Sequence, residues 1–202
     1  MIKLVIFDLD GVVIKNSSMF SDFLLERYDV TPDDIYPIFK NQDVKKGKVD
    51  TYEAWKPYLD RLRINLPKEK FFKIWFEGEN PKAVEDIVEV AIKVKELGYA
   101  IIILSDQSKE RGEFLKNRFD FMKEFDKVYF SNEIGYTKME GASFKKILED
   151  YDFEAEDVLF IDDKQKFIDV ASGLGIKAFL YESPEKLVKD LKNVNIDVTN
   201  ND

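Results

Sequence analysis

The sequence predicts an α/β protein, in which helices cover both faces of a parallel β-sheet and a bundle of helices is inserted near the start. Short apolar runs alternate with amphipathic stretches over most of the chain, a pattern typical of strand–helix–strand units. Between residues 17 and 80, helical patterns follow one another without a strand-like run. We therefore expect a core domain formed by residues 1–16 and 81–202, and a helical cap domain formed by residues 17–80.

Five apolar runs are the predicted strands of the sheet. They are Lys3–Phe7, Ala100–Leu104, Lys127–Phe130, Val158–Ile161 and Lys177–Leu180. The predicted core helices are Val84–Leu97, Glu110–Phe119, Ala142–Tyr151, Phe167–Leu174 and Glu185–Leu191. Gly98 and Gly175 each end a helix just before a strand, where a left-handed backbone favours glycine. The polar stretch that closes the chain, Asn193–Asp202, is expected to be a frayed tail.

The inserted region carries about four helical patterns. They are Ser18–Tyr28, a helix that begins at Pro32 after the N-cap Thr31, Tyr52–Leu62 and Lys68–Phe76. Aromatic residues are concentrated in this region, and we expect most of them to form the core of the bundle. They are Phe20, Phe23, Tyr52, Trp55, Tyr58, Phe71, Phe72, Trp75 and Phe76.

The composition restricts what the protein can do. A net charge of −9 over 202 residues disfavours binding to nucleic acids or anionic membranes, which requires a basic surface. The chain has no Cys and no His, so acid–base catalysis falls to Asp, Glu, Lys or Tyr. Its longest apolar run, residues 99–104, is far shorter than the roughly 20 residues that span a bilayer. Because the N-terminus also lacks a signal-peptide pattern, we expect a cytoplasmic protein.

Two carboxylates follow the first predicted strand. Asp8 and Asp10 would lie on one face, about 6–7 Å apart, at the carboxyl end of that strand. Open α/β sheets bind their ligands at this edge, and carboxylate oxygens are the ligands that Mg²⁺ prefers. The simpler alternative is an acidic loop that turns at Gly11.

Further polar residues end the later strands of the predicted sheet. Ser105 and Asp106 follow the second strand, Lys138 follows the third, and Asp162 and Asp163 end the fourth. Each has a simpler interpretation by itself, as a helix N-cap or a solvated charge. Taken together and in this order, they predict one site at the carboxyl edge of the sheet.

This ordered set resembles the motifs of the haloacid dehalogenase superfamily of phosphotransferases, and the helical insertion looks like that family's cap of the first type. The resemblance covers nearly the whole chain. It implies a Rossmann-like parallel sheet core with an inserted helical-bundle cap. It also implies a Mg²⁺-dependent phosphatase that acts on a small phosphorylated metabolite.

The resemblance also implies a role for each residue. Asp8 would attack phosphorus and form an aspartyl-phosphate, while Asp10 would be general acid and then general base. The Mg²⁺ ligands would be Asp8, Asp10 through its backbone carbonyl, Asp162 and Asp163. Ser105 would donate a hydrogen bond to a phosphoryl oxygen, and Lys138 would stabilise the charge of the transition state.

The sequence departs from the family pattern at three positions. Asp106 replaces a usual Asn, Met139 replaces a usual Pro, and Phe167 replaces a common Asn. A carboxylate within about 4 Å of a phosphate oxygen costs roughly 4 kcal/mol at an effective dielectric near 20. Asp106 therefore points away from the phosphate, accepts backbone N–H bonds, or weakens phosphate binding.

Other functions stay open at this point. A sugar phosphomutase would use the same residues, whereas a 2-haloacid dehalogenase would lack the carboxylate of Asp10 and need no metal. A phosphonatase would require a Schiff-base lysine from the insertion, where Lys45, Lys46 and Lys48 are available. Lys46 is our candidate contact to the substrate. The departures at Asp106 and Met139 motivate a further alternative, a catalytically weak binding protein.

Overall fold

The computed structural model describes residues 1–199, and its centre is a five-stranded parallel sheet. The strands of this sheet are β1 (Leu4–Phe7), β4 (Ala100–Ser105), β5 (Lys127–Phe130), β6 (Val158–Asp162) and β7 (Lys177–Leu180). Their order is β5-β4-β1-β6-β7, and every neighbouring pair is parallel. The chain therefore moves from β1 to one side of the sheet and returns to pair β6 on the other. The crevice between the carboxyl ends of β1 and β6 is a topological switch point, where such sheets bind ligands.

Strand β1 lies at the middle of the sheet because all four of its side chains are apolar and can be buried on both faces. Leu4 and Ile6 pack with Phe144 on one face, and Val5 and Phe7 pack on the other. Core helices cover the two faces and connect the strands. They are α6 (Glu85–Glu96), α7 (Lys109–Arg118), α8 (Ser131–Ile134), α9 (Ala142–Tyr151), α10 (Gln165–Gly173) and α11 (Pro184–Lys192). The predicted core elements are thus confirmed, with ends shifted by one or two residues.

The insertion folds as a group of short helices. They are α1 (Phe20–Arg27), α2 (Pro32–Phe39), α3 (Gln42–Lys45), α4 (Thr51–Arg61) and α5 (Lys68–Phe72), the last continued by a π-helical turn at Lys73–Glu77. The sequence did not predict α3, a single turn whose N-cap Asn41 accepts the backbone N–H groups of Asp43 and Val44. The predicted cap Thr31 is confirmed, since it forms a capping box with Asp34, and Asp50 is the N-cap of α4.

Aromatic rings fill the space between these helices. The ring of Phe20 lies 5.3 Å from that of Phe71, 5.1 Å from that of Trp75 and 5.6 Å from that of Trp55, measured between centroids. All four side chains are buried. The expectation that most of these aromatics form a bundle core is therefore confirmed.

A small antiparallel ladder stands where the insertion leaves and rejoins the core. Strand β2 (Ile14–Lys15) pairs with β3 (Lys82–Ala83). Two-residue strands carry too little pattern to be predicted from sequence. This ladder fixes both ends of the insertion beside β1, so the inserted helices stay near the carboxyl edge of the sheet.

The prediction of a frayed tail is wrong for residues 193–199. Ile196 and Val198 are buried in the core cluster beside α6 and α11, and the backbone N–H of Ile196 donates to the carbonyl of Leu191. Burial of these two apolar side chains outweighs the polar character of the stretch. Residues 200–202, the rest of the predicted tail, lie outside the described part of the chain. Within residues 1–199, no helix is long and apolar enough to cross a bilayer.

Candidate active site

The carboxyl edge of the sheet brings together most of the residues singled out in the sequence. Asp8 follows β1, Ser105 is the last residue of β4, and Asp162 is the last residue of β6. Lys138 reaches the same place from a 3-10 turn after α8. All four side chains are buried, and Asp8 and Lys138 are each only 2% exposed. Burial of this many charged groups is costly unless they bind one another or a ligand.

Lys138 joins two of the carboxylates. Its Nζ lies 2.8 Å from Asp8 Oδ1 and 2.5 Å from Asp162 Oδ2. Burial alone would lower the pKa of Lys138, but the two carboxylates raise it above its usual value, so the ammonium group stays charged. The ring of Phe167, one of the departures from the family pattern, lies 4.3 Å from this Nζ. Phe167 therefore contributes a cation–π contact to the site.

Asp8 is held in an environment that opposes its negative charge. Burial raises the pKa of Asp8 to about 8, against the opposing effect of Lys138. The backbone N–H of Leu9 donates to its Oδ1 at 2.8 Å. A second positive charge near this carboxylate would favour the ionised form that a nucleophile requires.

An acidic cluster offers a place for such a charge. One carboxylate oxygen from each of Asp8, Asp162 and Asp163 lies within 4.8 Å of the others. Asp163 Oδ1 is buried without a hydrogen-bond partner, the nearest ammonium being that of Lys164 at 3.7 Å. Burial also raises the pKa of Asp163. A donor set made of oxygen atoms alone, with one oxygen unsatisfied, fits Mg²⁺.

Gly11 leaves room for this cluster. Its backbone has φ +95°, and a Cβ at this position would lie 2.5 Å from Asp163 Oδ2. The turn after β1 therefore requires glycine both for its left-handed conformation and for the close approach of Asp163.

Asp10 has a different environment from Asp8. Its two carboxylate oxygens accept hydrogen bonds from the NH1 and NH2 groups of Arg111, at 2.8 and 2.9 Å. Gln107 Nε2 donates to Asp10 Oδ2 and, at 2.9 Å, to Ser105 Oγ. Burial would raise the pKa of Asp10, but the Arg111 guanidinium outweighs it and lowers this pKa below its usual value.

The same guanidinium connects the core to the insertion. Arg111 Nε donates to Glu79 Oε2 at 3.2 Å, and the indole N–H of Trp75 donates to Glu79 Oε1 at 2.9 Å. Sequence reasoning missed Arg111, Gln107 and Glu79. The available signal was the spacing of Gln107 and Arg111, which lie four residues apart and close after the motif residue Ser105.

Asp106 accepts a backbone hydrogen bond, the second of the three alternatives considered for it. Its Oδ1 accepts the N–H of Lys138 at 3.0 Å. Thr137 and Glu140 form a capping box around the same turn, with Thr137 N donating to Glu140 Oε2 at 3.2 Å. These contacts position the turn that carries Lys138, although Met139 stands where the family usually has Pro.

A cavity of about 190 Å³ opens above these groups. Its lining residues are Asp8, Asp10, Lys45, Ser105, Asp106, Lys138, Lys164, Lys166 and Phe167. Four lysines and three aspartates line this small cavity, so its lining has a small formal excess of positive charge, which favours an anion such as a phosphate group. Lys45 was one of three insertion lysines considered from the sequence, whereas Lys164 and Lys166 were missed, although they directly follow the Asp162–Asp163 motif.

The structure places Lys45, and not Lys46, beside the site. Lys46 forms an ion pair with Glu140 and is absent from the described residues that line this cavity. Burial lowers the pKa of Lys45, although the carboxylate of Asp106 opposes this shift. Lys45 ends the single turn α3 and Lys46 follows it, and consecutive residues of a helix point about 100° apart, so only one of the two ammonium groups faces the core.

Comparison with known proteins gives relatives that are similar in sequence. Bifunctional epoxide hydrolase 2 of Sus scrofa is 23% identical over 96% of this chain, and drimenol cyclase drtB of Aspergillus calidoustus is 31% identical over 45% of it. The chain spans 39% and 17% of the length of these two relatives, respectively.

Solved structures of low sequence identity share the fold. A haloacid dehalogenase family enzyme from Bacteroides thetaiotaomicron, solved with magnesium and inorganic phosphate, has a TM-score of 0.73 at 21% identity, over 90% of this chain and 95% of that one. A phosphatase of the same family from Thermococcus onnurineus has a TM-score of 0.67 at 18% identity, over 94% and 98%. L-2-haloacid dehalogenase from Xanthobacter autotrophicus has a TM-score of 0.63 at 18% identity, over 97% and 84%.

The family assignment rests on the sequence itself. The family model of the haloacid dehalogenase-like hydrolases matches residues 2–175. This range includes the whole insertion, every residue of the acidic cluster and four of the five strands of the central sheet, with β7 outside it. The parallel sheet with its surrounding helices is also the architecture of the solved members. The chain therefore belongs to the haloacid dehalogenase-like hydrolases.

Proposed function

We propose that this hydrolase is a Mg²⁺-dependent phosphatase that cleaves a small phosphate monoester through an aspartyl-phosphate on Asp8. The observation that carries the proposal is the acidic cluster around Asp163 Oδ1, a buried oxygen without a hydrogen bond, beside the Asp8–Lys138 ion pair. Few buried oxygens of native proteins lack a hydrogen bond, and binding of a metal ion is one explanation for such an oxygen. The magnesium and inorganic phosphate bound in the crystal structure of the Bacteroides thetaiotaomicron enzyme agree with this function, on a shared fold.

The metal would be held by the carboxylates of Asp8, Asp162 and Asp163 and by the backbone carbonyl of Asp10. When bound, Mg²⁺ neutralises the repulsion between an anionic nucleophile and an anionic phosphate. Lys138 holds Asp8 in place and supplies a fixed positive charge at the same carboxylate. Ser105 Oγ, Lys45 and Lys164 would contact the phosphoryl oxygens, a role supported by their position in the lining of the cavity above Asp8.

The first half of the reaction breaks the ester. A carboxylate oxygen of Asp8 attacks phosphorus, the bond from phosphorus to the ester oxygen breaks, and the departing alkoxide takes a proton from Asp10. In the second half, a water molecule gives its proton to Asp10 and attacks the same phosphorus. The bond from phosphorus to Asp8 then breaks, which releases inorganic phosphate and restores both carboxyl groups.

The contact with Arg111 bears on the role of Asp10. Because the guanidinium lowers the pKa of Asp10, this residue is a base in the described arrangement. Acid catalysis in the first half therefore requires that the contact between Asp10 and Arg111 loosens. The role of Asp10 as a base in the second half of the reaction is compatible with its contact to Arg111.

Two of the alternatives from the sequence, a dehalogenase and a catalytically weak binding protein, are less well supported. A dehalogenase needs neither the metal cluster nor the second carboxylate. The binding-protein alternative rested on Asp106 and Met139, and Asp106 now has a structural role as the acceptor for the Lys138 backbone.

Hydrolysis of p-nitrophenyl phosphate tests the proposal. We expect activity with Mg²⁺, at least a hundredfold loss with EDTA, and at least a hundredfold loss in Asp8→Asn, with each variant checked for folding by circular dichroism. Asp60→Asn, an exposed carboxylate on α4, is the matched control and should keep full activity. Activity that survives EDTA or Asp8→Asn would overturn the proposal.

A further inference from the structure

We propose that the ester cleaved here has an apolar leaving group about the size of one ring, which binds in a second cavity between the insertion and the sheet. This inference rests on the proposed phosphatase function. The second cavity measures about 240 Å³ and adjoins the phosphate-sized one, because Asp10, Lys45, Asp106 and Lys164 line both. A phosphate at Asp8 would therefore place its ester oxygen toward the second cavity.

The two cavities differ in chemistry. Their shared end is charged, and the second cavity is also lined by the ion pair of Arg111 with Glu79 and by an apolar wall from the insertion. This wall is made of Met19, Ile38, Phe39, Val44, Trp55 and Trp75. Apolar side chains and ring faces of this kind favour a hydrocarbon group over a hydroxylated one.

Polar side chains on the core side of this second cavity already bond one another. Arg111 donates to Asp10 and Glu79, and the second oxygen of Glu79 accepts the indole N–H of Trp75. Gln107 donates to Asp10 and accepts from Arg111 at 2.8 Å. Every side-chain N–H of Arg111 and Gln107 already has an acceptor, so these two residues offer a sugar hydroxyl no free donor. A hydrocarbon needs no such donor and leaves all of these bonds in place.

Two more polar side chains of this cavity also have local partners. Asn41 caps α3, and Ser108 Oγ accepts the backbone N–H of Arg111 at the start of α7. Lys45, a residue of the insertion, lines both this cavity and the phosphate-sized one. The leaving group would therefore lie between the apolar wall from the insertion and polar side chains that bond one another.

The size of the cavity limits the leaving group. An apolar cavity of about 150 Å³ in another protein binds benzene, so about 240 Å³ suits one ring with a short linker or a short branched chain. The expected substrate is thus the phosphate monoester of a small apolar alcohol.

Esters of primary alcohols test this inference without a change in the leaving oxygen. We would measure kcat/KM of the full chain with Mg²⁺ for benzyl phosphate, ethyl phosphate, glycerol 3-phosphate and glucose 6-phosphate. Burial of a ring of this size predicts about a 30-fold preference for benzyl phosphate over glycerol 3-phosphate. A sugar or glycerol phosphate that matches or exceeds benzyl phosphate would overturn the inference while leaving the phosphatase intact. If none of the four esters is hydrolysed, the proposed function is overturned, and this inference with it.

Two variants test the location of the leaving group. Val44→Phe fills the second cavity and should lower kcat/KM for benzyl phosphate at least tenfold, with ethyl phosphate changed less than twofold. Met19→Gln places a polar group in the apolar wall, at a half-exposed position where folding is not at risk. It should lower the ratio of kcat/KM for benzyl phosphate to kcat/KM for ethyl phosphate about threefold. Leu97→Gln, of similar exposure at the end of α6, is the control and should leave the ratio unchanged. A ratio that neither Val44→Phe nor Met19→Gln alters would place the leaving group elsewhere and overturn the inference.

Discussion

Arg111 donates to both carboxylate oxygens of Asp10, with nitrogen–oxygen distances of 2.8 and 2.9 Å. Its Nε also donates to Glu79, so one guanidinium compensates two carboxylates. Arg111 and Glu79 are buried, and burial raises the pKa of Glu79 against the effect of Arg111. Removal of the guanidinium would leave both acids without a counter-charge in a poorly solvated place.

Arg111→Met should therefore destabilise the fold. Breaking a buried ion pair by removing one partner costs about 3 kcal/mol of unfolding free energy, which urea denaturation would measure. The double variant Arg111→Met with Glu79→Gln should recover part of this loss, because one of the two uncompensated charges is gone. An Arg111→Met protein as stable as the wild type would show that water reaches these carboxylates.

Gly11→Ala should weaken the binding of Mg²⁺. Its Cβ would lie 2.5 Å from Asp163 Oδ2, so the Asp163 carboxylate would have to move. We expect the half-saturating Mg²⁺ concentration for p-nitrophenyl phosphate hydrolysis to rise at least tenfold.

Gly98→Ala is the matched control for this variant. Gly98 has φ +92°, close to the +95° of Gly11, but a Cβ there meets no atom within 4 Å. Both variants should lose about 1–2 kcal/mol of stability from the left-handed backbone. If their Mg²⁺ dependence is also the same, the contact between Gly11 and Asp163 does not shape the metal site.

Sequence predicted those parts of the molecule that depend on local pattern and strand order. The run Leu4–Phe7 is apolar at every position, so it predicts a strand buried on both faces, and the residue that follows its end, Asp8, falls at the ligand edge of the sheet. The same reasoning placed Ser105 and Asp162 at this edge, because each ends an apolar strand.

Contacts between distant segments were beyond this reasoning. The sequence alone predicts Arg111 to be a surface residue of α7. Its partner Glu79 lies 32 residues away, and the two meet only when the insertion folds over the core. Which of Lys45 and Lys46 faces the core depends on the orientation of the one-turn helix α3. No periodic pattern of sequence specifies either.

Stability should fall in acid through Asp150. The hydroxyl of Tyr129 donates to Asp150 Oδ2 at 2.8 Å, and Lys127 and Lys146 each bind this carboxylate at 3.1 Å. These bonds lower the pKa of Asp150 from 3.8 to about 2. Since the folded-state pKa is the lower one, the stabilisation is fully present above pH 3.8 and is lost as the pH falls toward 2.

Asp150→Asn tests this dependence. At pH 7 the variant should be less stable than the wild type by about 1 kcal/mol, a value reduced by solvent screening at a partly exposed site. Below pH 2 the two proteins should have equal stability, because Asp150 is then protonated in both the folded and the unfolded state. A difference between them that stays constant from pH 7 to pH 2 would mean that Asp150 acts by packing and not by charge.

Ile196→Ala should destabilise the protein although residue 196 lies in a polar stretch near the end of the chain. The side chain of Ile196 is fully buried in the cluster that also contains Leu191, and its backbone N–H is bonded to the carbonyl of Leu191. Truncation of a buried Ile to Ala costs about 2–5 kcal/mol, because it removes apolar contacts and leaves a cavity. Val49→Ala, at a position 42% exposed, should change the unfolding free energy by less than about 0.5 kcal/mol. Equal urea midpoints for the two variants would mean that this stretch is frayed, as its polar composition alone predicts.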